Sequence, residues 1–141
     1  MGTGGTISGT ARYLKEQDPN VRIVGIDPEG SIYTGHAPHP YKVEGIGYDF
    51  YPDVFDVPIV DEMVRVGDAD SFKEARRLTR EEGILAGGST GTVLAGARQF
   101  LAALGESAKG KRLVLIVHDS GRSYLTKIYN DEWMQEQGFA V

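Results

Sequence analysis

The sequence predicts an α/β fold, a parallel sheet flanked by helices. Three observations lead there. Short apolar runs rich in β-branched residues alternate with amphipathic helix signals along the chain. The apolar runs are continuous, not alternating, as strands covered on both faces are. Glycine turns follow the runs at Ile84–Ala86 and Arg112–Val117, at the sheet edge where such folds take their ligands.

The opening stretch, Met1-Gly2-Thr3-Gly4-Gly5-Thr6-Ile7-Ser8-Gly9-Thr10, joins a glycine-rich turn to an apolar-periodic run. Its bare N–H groups and hydroxyls make it a candidate phosphate cradle with neutral donors only. The plain alternative is a flexible chain start. Ile7–Gln17 reads as a helix stopped by Asp18-Pro19. Val21–Ile26 reads as a buried strand ending at the turn Asp27–Gly30. Residues 31–58 show no period and hold four of the six prolines, which marks a functional loop.

Glu62–Val66 follows as a strand, then Asp70–Glu82 as a helix. Ser71 and Glu74 have capping-box spacing, and Gly83 closes the helix. Ile84–Ala86 is a brief strand before Gly87-Gly88-Ser89-Thr90-Gly91. The next helix carries Val93, Leu94, Ala97, Leu101 and Leu104 as its apolar residues and ends at Gly105. Arg112–Val117 is the clearest strand of the chain. His118–Gly121 is a turn, and a last helical piece spans about Ser123 to Tyr129.

At 141 residues the chain suits one domain, a single α/β unit over 1–141. Its net charge of −5, without a basic cluster, argues against nucleic acid and anionic membrane as partners. No apolar run reaches membrane-spanning length and no signal peptide is visible. With no cysteine there is no disulfide, no thiolate nucleophile and no thiolate metal site. A cytoplasmic location fits these features.

Several motifs admit two readings. Ser89 is either an ordinary helix N-cap or a hydroxyl that donates to a ligand. His36 and His39 have i,i+3 spacing, but Pro38 and Pro40 break a helix there and no further ligand pattern follows, so no metal site is assigned. His118-Asp119-Ser120 holds the letters of a catalytic triad, yet consecutive residues cannot face one another as a triad must. Asp27 stands where a ribose-binding acid would in a dinucleotide fold. Ile7 occupies the place of the third glycine, so that fingerprint fails.

Gly2–Thr6, Val43-Glu44-Gly45-Ile46-Gly47-Tyr48-Asp49-Phe50, Gly87–Gly91 and Asp119-Ser120-Gly121-Arg122-Ser123-Tyr124 together resemble the cystathionine β-synthase family. The closing Asn130–Met134 is similar to the end of that family's catalytic core, so the resemblance runs along essentially the whole chain. Cysteine synthases share the glycine turns but typically lack the Glu44 and Tyr48–Phe50 pattern and Trp133-Met134. The resemblance implies the C-terminal portion of a fold-type II pyridoxal 5'-phosphate enzyme, related to the tryptophan synthase β fold. It implies β-replacement on serine with homocysteine, giving cystathionine. Cysteine synthase-type replacement with sulfide, or a non-catalytic binding module, are the alternatives.

By the same resemblance Gly2, Thr3, Gly4, Gly5 and Thr6 bind the cofactor phosphate, Ser89 donates to the pyridine nitrogen, and Gly45, Ile46, Gly47 and Tyr48 line the substrate side. The expected partners are serine, homocysteine, the N-terminal half of the same fold and further copies in a homo-oligomer. Two departures stand out. His118 replaces a usual proline, and the Schiff-base lysine has no counterpart among Lys15, Lys42, Lys73, Lys109, Lys111 and Lys127. No catalytic residue is therefore assigned in this chain, which is expected to be inactive alone.

Overall fold

The computed structural model describes residues 1–141. They form two compact units, Met1–Arg65 and Val66–Val141.

The first unit opens with helix α1, Gly5–Gln17, two residues earlier than the apolar period alone suggests. Gly4 allows this early start. It adopts a left-handed φ of 84°, and a Cβ there would overlap the Phe55 ring. Asp18 ends α1, extended before Pro19. Strand β1, Val24–Pro28, pairs with β2, Glu62–Val66. The N–H groups of Asp61 and Glu62 both donate to the Ile23 carbonyl, so the two strands start at the same end and run parallel. β1 lies later than the Val21–Ile26 span. Its last four residues, Gly25–Pro28, are the buried ones, while Val21 and Ile23 are only half-buried. Residues 31–56 contain no helix or strand, in keeping with the aperiodic sequence, and a single 3-10 turn follows at Val57–Ile59. Ala11, Ile26, Tyr33, Val43, Ile46 and Phe55 form the core of this unit.

The second unit is built on helices α2, Asp68–Glu82, and α3, Gly88–Leu104, which pack together. The capping box expected at Ser71 and Glu74 is absent. α2 begins after Gly67, so Ser71 already lies inside it and donates its hydroxyl to the Gly67 carbonyl at 2.9 Å. Glu74 instead binds Arg77 at 2.8 Å. Gly83, left-handed at φ 70°, closes α2 as expected. The buried residues of α3 are small ones, Gly91, Thr92, Ala95, Gly96 and Ala97, together with Phe100. Leu101 is exposed. Gly91 explains that choice, since a Cβ there would strike the Ser71 carbonyl and Ala75 of α2.

Two expected strands are not formed as such. Ala86 makes only one antiparallel bridge, to Ser120. Arg112–Val117 pairs with nothing, and Val114 is 81% exposed. A strand needs a neighbour to satisfy its backbone, and this run has none within the chain. The expected helix at Ser123–Tyr129 is a 3-10 turn, Gly121–Tyr124. A further helix, α4, spans Asp131–Glu136. Asn130 caps it by accepting from the Trp133 N–H at 2.9 Å. Phe72 of α2 meets Trp133 and Phe139 edge-on, at 5.9 and 5.0 Å between ring centroids.

Candidate functional site

Five of the six residues that open the chain were singled out by their types, and the first unit gives them a defined setting. The N–H groups of Gly5, Thr6 and Ile7 precede the first intrahelical bond, from Ser8 N–H to the Gly4 carbonyl at 2.9 Å, and no side chain caps them. They form a free, positive helix end. Thr3, Gly5 and Thr6 are exposed there. The cations of α1 point elsewhere: Arg12 pairs with Asp56 at 3.2 Å and Lys15 with Asp61 at 2.6 Å. Any anion at this end would meet neutral donors.

The loop is joined directly to the 45–48 segment. Gly47 N–H donates to the Met1 carbonyl at 2.7 Å, and a Cβ on Gly2 would stand 3.3 Å from the Gly45 carbonyl. Tyr33 donates its hydroxyl to the Gly2 carbonyl at 2.9 Å, and Tyr41 donates to the Ile46 carbonyl at 2.8 Å. Ser31 accepts from the Tyr48 N–H at 3.1 Å. Gly2–Thr6 and Gly45–Tyr48, nominated separately, are thus one assembly.

Several members of that assembly escaped sequence reasoning. Tyr33 is buried, and its hydroxyl pKa is pushed up to about 12, chiefly by that burial. Phe55 packs edge-on to Tyr33 at 4.7 Å and closes over Gly4. Ser8 accepts from the Asp56 N–H at 2.9 Å, so this hydroxyl is spent on the fold. All three support the loop through distant contacts that no local pattern announces. An open cleft of about 420 Å³ lies nearby, lined by Gly30, Pro38, His39, Tyr41, Tyr48 and Asp49. Asp27 is fully buried at the end of β1, so it is no exposed ribose-binding acid.

Ser89 belongs to the second unit, and there the structure separates its two readings. The N-cap of α3 is Gly87, so Ser89 is the second helical residue and caps nothing. Ser89 is 6% exposed. The turn before it is fixed by the Gly87 N–H to the Asp119 carbonyl, 3.1 Å, and by the Tyr129 hydroxyl to the Ala86 carbonyl, 2.5 Å. The lysines offer no comparable setting. Lys42, Lys73, Lys109 and Lys111 are exposed, Lys15 is held by its ion pair, and Lys127 is half-buried beyond the 3-10 turn Gly121–Tyr124.

Comparison with known proteins shows the family. Residues 1–119 match the family described as pyridoxal-phosphate dependent enzyme. A cystathionine beta-synthase of Dictyostelium discoideum is 47% identical over 98% of this chain and 28% of its own length. One of Mus musculus is 46% identical over 98% of this chain and 25% of its own. The chain therefore spans about a quarter of the length of these relatives. Among solved structures, an O-acetylserine dependent cystathionine beta-synthase from Helicobacter pylori superposes with a TM-score of 0.84 at 39% identity, covering 92% of this chain and 42% of that one. With its parallel strands, its uncapped glycine loop and a family match over most of its length, the chain belongs to the pyridoxal-phosphate dependent enzymes, and among them it is similar to the cystathionine beta-synthases.

Proposed function

We propose that this stretch serves an enzyme that performs β-replacement on serine, with homocysteine as second substrate and cystathionine as product. The observation that carries the proposal is the union of the uncapped loop Gly2–Thr6 with Gly45–Tyr48 through the 2.7 Å bond from Gly47 to Met1. The donors present suit pyridoxal 5'-phosphate: a free helix end for a phosphate, and the Ser89 hydroxyl, which caps no helix, for a ring nitrogen.

In this reading Gly2, Thr3, Gly4, Gly5 and Thr6 hold the phosphate through backbone N–H groups and threonine hydroxyls. Ser89 donates to the pyridine nitrogen. Gly45, Ile46, Gly47 and Tyr48 shape the substrate side, and Tyr33 and Phe55 keep the two segments in register. When bound, the cofactor supplies an electron sink for loss of the β-substituent. Ser89, a neutral donor, leaves that sink milder than a carboxylate would. None of the six lysines sits in a motif that matches the family's anchoring lysine, so another segment is expected to bring that residue.

A second reading concerns the first substrate. The Helicobacter pylori neighbour is titled O-acetylserine dependent, which favours acetate over hydroxide as a leaving group. Sulfide in place of homocysteine would give cysteine. Product analysis by mass spectrometry on a catalytic core containing this stretch tests all three. Cystathionine from serine and homocysteine is expected, and no product from the 141-residue chain alone. Turnover by the chain alone would remove the need for an outside lysine.

Ser89 variants in that core test the cofactor contact. Ser89→Asp places a carboxylate in the first turn of α3, where the helix dipole tolerates it. A purely structural Ser89 predicts an active Ser89→Asp enzyme. A ring-nitrogen donor predicts a folded protein with a shifted cofactor spectrum and at least a tenfold loss of turnover, the effect of about 1.4 kcal/mol on the barrier.

A further inference from the structure

Asp119 and Tyr124 have no part in the function proposed above, yet both press on the turn that delivers Ser89. The Tyr124 hydroxyl donates to Asp119 Oδ2 at 2.7 Å. Asp119 Oδ1 and the Tyr124 ring occupy the space that a Cβ on residue 87 would need, so only glycine fits there. The backbones are tied as well. Gly87 N–H donates to the Asp119 carbonyl at 3.1 Å, and the His118 N–H donates to Thr90 Oγ1 at 3.2 Å. No side chain of its own caps α3, so the Asp119 carboxylate supplies negative charge at the positive helix end. Two residues beyond Gly87 stands Ser89, 6% exposed.

We propose that Asp119, oriented by Tyr124, is a positioning residue for the ring-nitrogen end of the cofactor site: it fixes the Gly87–Ser89 turn and sets the local charge. The proposal rests on the Ser89 contact argued above. A carboxylate here favours the protonated ring nitrogen, because it attracts the cation. The Tyr124 hydroxyl draws on that carboxylate and so limits the effect. Asp119 and Tyr124 therefore act in opposite directions on one property, which simple packing would not do.

The test uses the whole 141-residue chain and nitrogen-15-labelled pyridoxine 5'-phosphate at millimolar concentration. This probe keeps the phosphate and the ring nitrogen but has no aldehyde, so it needs no lysine. The nitrogen shift, followed against pH, reads ring protonation of the bound probe. Asp119→Asn should lower its midpoint by roughly half a pH unit, the size of one screened charge, and Tyr124→Phe, which removes only a hydrogen bond, should raise it by less. In the free chain, the Gly88 and Ser89 amide signals should follow a carboxylate titration that Asp119→Asn abolishes.

Midpoints that move together, or do not move, in folded variants would overturn the proposal. Amide signals that never titrate would overturn it too. A wild-type chain that takes up no probe removes the cofactor-facing role and, with it, the Ser89 contact. The amide titration, which needs no ligand, then separates that failure from a failure of the pair itself. Should Asp119→Asn fail to fold, the upward shift in Tyr124→Phe decides alone.

Discussion

Asp27, next to last in β1, has both carboxylate oxygens buried. Burial pushes its pKa above the usual carboxylate range, against the pull of a hydrogen bond from Ser31. The protonated form suits the fold better. Its contribution to stability is full below the ordinary carboxylate pKa and is lost as pH rises through the raised value. Asp27→Asn should therefore match wild type in acid and exceed it near neutrality. Denaturation followed from pH 3 to 8 checks this, and a destabilised variant at neutral pH would mean that this hydrogen bond outweighs burial. Sequence placed Asp27 at a strand end but could not reveal its burial. Ser89 was legible as a residue worth choosing. That it caps no helix was not, because Gly87 takes the cap position of α3.

Elements defined by their own composition were legible: α1, β2, and α2 with its Gly83 stop follow local period and local breakers. Elements defined by neighbours were not. The small residues of α3 look like weak apolar periodicity in sequence, whereas Leu101 looks like core. The α2–α3 contact reverses that order, because Gly91 lets the helices approach where a larger face could not. Gly91→Ala should cost about 1–3 kcal/mol through overpacking, seen as a lower urea midpoint. An unchanged midpoint would show that the helices part without penalty. The short helix α4 was overlooked, although Asn130 before Asp131-Glu132 is a capping signal that could have disclosed it.

For the whole molecule, the loop assembly was legible only in pieces. Gly2–Thr6 and Gly45–Tyr48 stand some forty residues apart, and it is Tyr33, Ser31 and Phe55 that unite them. Leu113–Val117 is the opposite case, a strand by every local measure that stays unpaired and exposed. Such a surface should bind a hydrophobic dye and promote self-association. Val114→Lys should reduce both, and so should co-expression with a segment that supplies the neighbouring strand. A dye-silent, monodisperse chain in light scattering would sink this expectation. The same five residues also matter before any folding occurs. A run of high β propensity with no charge or proline is able to stack on copies of itself into a fibril. Lys109, Lys111 and Arg112 stand just ahead of it and Asp119 just behind. These charges are gatekeepers: stacked copies would bring like charges together every few ångströms, so the residues that flank the strand oppose its growth into a filament.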